Sequence, residues 1–455
     1  MNPNPLFPTK DTLGINTDLY ELTMAAAYFQ AGCAERRATF ELFTRKLPAQ
    51  RSFLVAAGLE QALHYILNVT FSDRTLDFLQ SLPNFERVDP KFFDYLRKFR
   101  FSGDVFALPE GTVCFGQEPL LQVSGPVIES QILETFLINT LNFQTTVASK
   151  ASRLCLAAGN RGVMDFGTRR AHSPQAGVEA ARAAFIGGCQ GTSNVLAGFE
   201  MGIPVVGTMA HSFVQFFEDE AEAFARYQAA FPEHTTFLVD TYDTLKGVEK
   251  AAKLGGKMVG VRLDSGNLHE LAVKAREILD RHDRTDVHIF ASGNLDEGKI
   301  QGLTLADVPI NAFGAGTDLV VSSDAPSCDM VYKLVEVFET GVPEPRMKTS
   351  QAKVTTPFRK QVFRRLAAGG FDGDLICRCD EEPPAAGEYQ PLLKQYLRAG
   401  ELCEILPDVE SIRTYAQEQL ALLPSAYKLL HSSEEYPVEF SRELIQARES
   451  LQRKL

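Results

Sequence analysis

The stretch Val259-Gly260-Val261-Arg262-Leu263-Asp264-Ser265-Gly266-Asn267 decides the fold. Its apolar part is short enough for a buried strand, and its polar residues begin where that strand would end. The same sentence recurs at residues 163–165, 205–208, 237–240, 289–292 and 312–314, with helical periodicity after several of them. Strand–helix alternation of this kind builds a parallel sheet, and curling that sheet gives a β/α barrel. In such barrels the chemistry lies at the strand ends. Here those ends carry Arg169-Arg170, His211, Arg262, Asp264 and Gly314-Ala315-Gly316-Thr317. Cations, one histidine and amide-rich loops read together as a site for an anionic, phosphorylated substrate.

The chain of 455 residues is long enough for two or three domains. With 45% hydrophobic and 23% charged residues it can build a large core. Its net charge is −12 and it has no long basic run, so neither a nucleic acid nor a membrane is the expected partner. The first residues lack a signal peptide's basic and apolar regions, and no apolar run reaches membrane-spanning length. Eight scattered cysteines without a CxxC pair read as reduced thiols, and the expected location is cytoplasmic.

Helical spacing is expected over 12–32, 58–68, 74–81, 90–98 and 131–158, with strands near 37–47 and within 103–127. The barrel is expected over 150–345. It is flanked by an N-terminal α/β domain with helical segments, 1–149, and by a C-terminal segment, 346–455, that packs with that domain. Residues 353–379 read as short strands, 408–423 and 437–455 as amphipathic helices, and the basic run at 359–365 as a solvated face.

Each chemical motif has two readings. Arg169 and Arg170 can clamp a carboxylate and phosphates through their guanidinium forks, or form surface salt bridges. His211 is either a solvated residue at a helix start or a working base or nucleophile, with Asp240 orienting its ring. Arg262 and Asp264, two apart, share a strand face; they suit phosphate and Mg²⁺, or each other. The loops at Ser292-Gly293-Asn294 and Gly314–Thr317 allow backbone amides close to a phosphate. No GxxxxGK[ST] motif is present, so nucleotide use would not run through a P-loop.

Six motifs in order carry a resemblance: residues 16–24 (NTDLYELTM), 166–170 (FGTRR), 191–194 (GTSN), 207–212 (GTMAHS), 262–266 (RLDSG) and 313–317 (FGAGT). Together they closely resemble nicotinate phosphoribosyltransferase. The resemblance implies an incomplete barrel of the type II phosphoribosyltransferase kind with a smaller α/β domain. It implies formation of nicotinate mononucleotide and pyrophosphate from nicotinate and phosphoribosyl pyrophosphate, coupled to ATP hydrolysis. It also implies Mg²⁺ and a homodimer with shared active sites. By that likeness His211 is transiently phosphorylated with Asp240 beside it. Phe166 and the partner chain's Tyr20 stack on the pyridine. Arg169 and Arg262 contact base and phosphoribosyl groups, with Arg45 reaching across the dimer, and Arg170 and Thr208 are further substrate-binding residues. Ser292, Gly293, Gly314 and Gly316 correspond to the 5′-phosphate loops, Thr317 beside them is a further substrate-binding residue, and Asp264 lies near the ribose or metal.

Ser193 stands where related nicotinamide phosphoribosyltransferases carry an aspartate. A carboxylate there would repel nicotinate, so serine favours the acid. The alternatives are a relative that uses nicotinamide or quinolinate, and a non-catalytic barrel that binds nucleotides.

Overall fold

The computed structural model describes residues 9–350, 353–367, 369–431 and 434–454. In chain order the first strands are β1 (Arg37–Thr44), β2 (Leu54–Val55), β3 (Asp104–Ala107), β4 (Val113–Cys114) and β5 (Pro119–Pro126). Then come β6 (Gly162–Asp165), β7 (Gly191–Thr192), β8 (Thr236–Leu238), β9 (Gly260–Leu263), β10 (His288–Ser292) and β11 (Ala312–Ala315). The remainder are β12 (Met330–Glu339), β13 (Val342–Pro345), β14 (Lys360–Ala367), β15 (Gly370–Arg378), β16 (Glu388–Pro391), β17 (Lys394–Arg398), β18 (Glu401–Leu402) and β19 (Val438–Phe440).

Strands β6–β11 pair in parallel in the order β7-β6-β11-β10-β9-β8. Their sequences are near-continuous apolar runs because helices cover the sheet. Phe237, Val261, Ile289 and Phe313 are buried in one core with the covering helices. Each such side chain contributes about 1.5–3 kcal/mol on leaving water. The expected strand at 205–208 shrinks to one bridge, Val205 with Thr192, and the short β7 stands at the sheet edge instead. The barrel is therefore open between β7 and β8.

Helix starts follow the strand ends closely. Ser173, Asn194, Asp243, Asn267 and Asp296 each accept a hydrogen bond from a first-turn amide of the next helix. The sequence thus turns each chain segment back over the sheet immediately after its functional residues.

The second layer is a seven-stranded sheet ordered β13-β12-β1-β5-β3-β17-β18. Residues 330–345, expected with the barrel, join this sheet instead: β12 pairs with β1, and β13 pairs with β12. The C-terminal part also joins it, through β17 on β3. A four-stranded sheet, β16-β14-β15-β19, and a two-stranded pair, β2-β4, complete the fold.

Helix Glu134–Ala158 connects the layers. Its residues 144–154 are all buried, so it has no solvated face in mid-length. Its hydroxyls are satisfied locally or by the N-terminal layer: Ser149 donates to Thr145 O, and Val55 N donates to Ser149 Oγ at 2.9 Å.

Three local expectations change. The helix expected over 12–32 divides into a 3₁₀ turn, Lys10–Ile15, and a helix, Leu19–Gln30. The terminal helix over 437–455 begins only at Arg442, after β19. The basic run at 359–365 is not a solvated face: it forms most of β14. There Arg364 is fully buried against Asp374, and Lys360 is buried against Glu41. Among the described residues no helix is long and apolar enough to cross a membrane. All eight cysteines are free thiols.

Candidate active site

The polar ends of β6–β11 meet at one mouth, and Arg262 is its centre. Strand β9 holds Arg262 with Leu263 buried behind it. The guanidinium donates three ways: Nε to Ser292 Oγ at 2.8 Å, one terminal nitrogen to Thr208 Oγ1 at 3.0 Å, and the other to Asp264 Oδ1 at 2.7 Å. Ser292 Oγ also donates to Asp264 Oδ1 at 2.5 Å. The Arg262 guanidinium lies 5.4 Å from the centre of the Phe166 ring. Residues from three strand ends, those of β6, β9 and β10, and from the loop at Thr208 are thus joined through one side chain.

Burial would raise the Asp264 carboxyl, but the Ser292 hydroxyl, the Arg262 guanidinium and His211 together hold it below the ordinary carboxylate range. Its Oδ1 is taken by Arg262 and Ser292. Its Oδ2 faces His211 Nε2 at 3.8 Å. Asp264 is therefore an ionised carboxylate with one oxygen directed at the histidine.

His211 opens the helix His211–Gln215 and is about 41% exposed, so its ring is reachable from the mouth. Its Nδ1 is 3.2 Å from Thr241 Oγ1. This differs from the expected contact with Asp240. The Asp240 carboxylate points toward β9 instead, where Oδ2 accepts from Asp264 N at 3.1 Å and from Ser265 Oγ at 2.6 Å. Asp240 holds the loop that carries Asp264, and its Oδ1 is buried without a partner among the described residues. Thr241 and Ser265 were given no role by sequence reasoning. The signal for Thr241 was its place, one residue past the strand-end aspartate.

The glycine loops are tight for identifiable reasons. A Cβ on Gly314 would lie 2.4 and 2.6 Å from two ring carbons of Phe166, so the ring can lie against the strand only over a glycine. Gly293 has φ of +94°, and a Cβ there would sit 1.9 Å from Asp264 O. Gly316 follows β11, and Thr317 begins the short turn of helix after it.

Strand β6 ends in Asp165, which accepts from Gly167 N at 2.8 Å and Thr192 Oγ1 at 2.6 Å. Those bonds set the 3₁₀ turn Thr168–Arg170 and bring the following Ser193 beside the same strand end, its amide bonded to Asp165 O. Arg169 and Arg170 are exposed and have no side-chain partner among the described residues. The surface salt-bridge reading of this pair is not realised.

Two residues named with the site lie elsewhere in the chain's own fold. Tyr20 is on the outer helix Leu19–Gln30, about 46% exposed, beside Glu21 and Glu134. Arg45 follows β1, pairs with Asp329 at 3.3 Å and lines a separate cavity of about 540 Å³ with Lys46 and Phe115.

An open parallel half-barrel whose mouth gathers an arginine, a carboxylate and glycine loops has the architecture of the type II phosphoribosyltransferases. Known proteins agree with that class and narrow it. Models of the nicotinate phosphoribosyltransferase N-terminal domain, the nicotinate phosphoribosyltransferase family and the nicotinate phosphoribosyltransferase C-terminal domain match residues 15–142, 162–364 and 386–448. A nicotinate phosphoribosyltransferase of Mycobacterium tuberculosis is 44% identical over 440 residues, covering 94% of this chain and 92% of that protein. The nicotinate phosphoribosyltransferase of Bacillus subtilis is 38% identical over 463 residues, covering 95% and 94%. The crystal structure of human nicotinic acid phosphoribosyltransferase superposes with a TM-score of 0.84 at 32% identity, over 96% of this chain and 99% of that one. A nicotinate-nucleotide pyrophosphorylase from Pyrococcus furiosus gives 0.75 at 29% identity, over 92% and 98%. The chain belongs to the nicotinate phosphoribosyltransferase family.

Proposed function

We propose that this protein transfers a phosphoribosyl group from phosphoribosyl pyrophosphate to nicotinate, releasing pyrophosphate and forming nicotinate mononucleotide. The observation that carries the reading is the Arg262-centred network, which joins Thr208, Asp264 and Ser292 beside Phe166. It is supported by relatives that bear this activity in their names along nearly the whole chain.

In the transfer, the pyridine nitrogen forms a bond to the anomeric carbon as the bond from that carbon to pyrophosphate breaks. Positive charge develops on the ribose, and negative charge on the leaving group. Phe166 offers a face for the pyridine ring, and the unpaired guanidinium of Arg169 or Arg170 offers a fork for its carboxylate. Ser193 leaves that carboxylate unopposed by a like charge. The loops at Gly293 and Gly314–Thr317 take the 5′-phosphate through their amides, and Asp264 takes ribose hydroxyls.

Coupling to ATP belongs to the same proposal. His211 Nε2 attacks the terminal phosphorus of ATP, ADP leaves, and the phosphohistidine is later hydrolysed to free imidazole and phosphate. Thr241 at Nδ1 orients the ring so that Nε2 faces the mouth. The carboxylates of Asp264 and Asp240 are the side chains that would hold Mg²⁺: Asp264 is ionised, and Asp240 Oδ1 is buried without a partner among the described residues. When bound there, the metal would neutralise pyrophosphate charge.

We also assign a homodimer in which Tyr20 and Arg45 reach the partner's mouth. It is supported by exposed apolar residues on two surfaces: Leu19, Tyr20 and Met24 on one helix, and Val195, Leu196 and Phe199 on another.

The test is product formation from nicotinate, nicotinamide and quinolinate side by side, each with phosphoribosyl pyrophosphate, with and without ATP. Nicotinate mononucleotide formed from nicotinate and increased by ATP is expected. A folded sample that turns over none of the three overturns the enzyme reading, and a preference for another base overturns the substrate.

A further inference from the structure

Lys150 lies near the middle of the connecting helix Glu134–Ala158, with its side chain about 1% exposed. Its Nζ is 2.5 Å from Glu297 Oε2, 2.6 Å from Asp318 Oδ2 and 3.1 Å from Asp324 Oδ1. Glu297 stands four residues beyond Gly293, and Asp318 two beyond Gly316. One ammonium therefore joins the segments at the roots of both glycine loops, although those loops come from separate strands, β10 and β11.

Two arginines complete the cluster. Arg153 Nε reaches Glu297 Oε1 at 3.2 Å. Arg51, from the N-terminal layer, donates to both oxygens of Asp324 at 3.1 Å, to Thr146 O at 2.9 Å and to the Ser322 hydroxyl. Three cations, Lys150, Arg153 and Arg51, thus face three carboxylates, Glu297, Asp318 and Asp324, and the cluster is formally neutral. The balance matters because of what lies in front of it. Carboxylates just behind a phosphate-binding loop repel the phosphate through a low-dielectric interior, unless an equal positive charge is held with them.

We propose that Lys150 is a positioning residue for the sugar phosphate. It ties the two glycine loops at a fixed spacing and, together with Arg153, cancels the charge of Glu297 and Asp318, so the loop amides meet a phosphate dianion without repulsion from behind. Lys150 is buried and does not touch substrate; it acts through the loops. The inference rests on the reading that these loops take the 5′-phosphate.

The experiment titrates ribose 5-phosphate into the full chain by calorimetry, with folding checked by circular dichroism, and measures both Michaelis constants where turnover occurs. Lys150→Met is expected to weaken ribose 5-phosphate by about tenfold or more through the uncompensated carboxylates. KM for phosphoribosyl pyrophosphate rises with it, while KM for nicotinate changes by less than about threefold. Adding Asp318→Asn to Lys150→Met restores charge balance and is expected to recover affinity to within about threefold of the unmodified chain. A lysine that served only to hold the fold would lower the unfolding midpoint without raising KM for phosphoribosyl pyrophosphate selectively over KM for nicotinate.

Unchanged affinity in a folded Lys150→Met, or no recovery in the double variant, overturns the proposal. If Lys150→Met does not fold, Asp318→Asn alone decides: tighter ribose 5-phosphate binding supports it, and equal or weaker binding overturns it. Failure of the unmodified chain to bind ribose 5-phosphate overturns it together with the loop assignment. Binding without turnover overturns the transferase reading alone.

Discussion

Arg262 and Asp264 lie 2.7 Å apart, guanidinium to carboxylate, at the end of one strand. Each restrains the other, and neither is used up. Arg262 keeps its ring-facing surface over Phe166, and Asp264 keeps Oδ2 toward His211. Of the two readings of this pair in the sequence, the structure contains the internal ion pair.

Arg262→Lys should therefore damage the site more than the conserved charge implies. An ammonium cannot hold Ser292, Thr208 and Asp264 in three directions at once. We expect kcat/KM for phosphoribosyl pyrophosphate to fall on the order of a hundredfold, as for loss of a preorganised donor, with the fold intact by circular dichroism.

His211→Ala should abolish stimulation by ATP while leaving slow, ATP-independent product formation. Thr241→Val, which removes the Nδ1 partner but not the ring, should weaken stimulation without abolishing it. Pyrophosphate release with and without ATP measures both, and unchanged stimulation in His211→Ala removes the histidine from that role.

Gly314→Ala should raise KM for nicotinate through the Phe166 ring. The added methyl cannot coexist with ring carbons 2.4 and 2.6 Å away, so the aromatic face must move. An increase of about tenfold is expected, since misplaced binding groups cost that much or more. Saturation curves for nicotinate at fixed phosphoribosyl pyrophosphate will show it.

Ser193→Asp should reverse base preference toward nicotinamide. The new carboxylate would repel the acid and accept from an amide. A drop of about tenfold or more in kcat/KM for nicotinate is expected, and parallel losses for both bases would remove Ser193 from specificity.

Stability should depend on pH through Glu21. Burial, reinforced by the Glu134 charge and by Asp18, pushes its carboxyl up from 4.5 to about 8. The folded chain then keeps a proton that the unfolded chain releases, so this contribution is fully present below about 4.5 and is lost as pH rises toward 8. Glu21→Gln should remove that slope. Thermal unfolding midpoints at pH 5 and pH 8 should differ less in the variant than in the unmodified chain.

The sequence by itself determined the half-barrel and most of its mouth. Buried parallel strands must be short apolar runs, and Asn194, Asp243, Asn267 and Asp296 can cap helices only where the strands have just ended. Local spacing also placed Arg262 and Asp264 on one face. Only the tertiary structure decided which distant groups meet. It put β12 beside β1, Thr241 rather than Asp240 on the His211 ring, Arg364 against Asp374, and Lys150 under both glycine loops. The reason is physical: a strand edge or a buried charge specifies the kind of partner it needs, and periodicity along the chain carries no information about which remote segment supplies it.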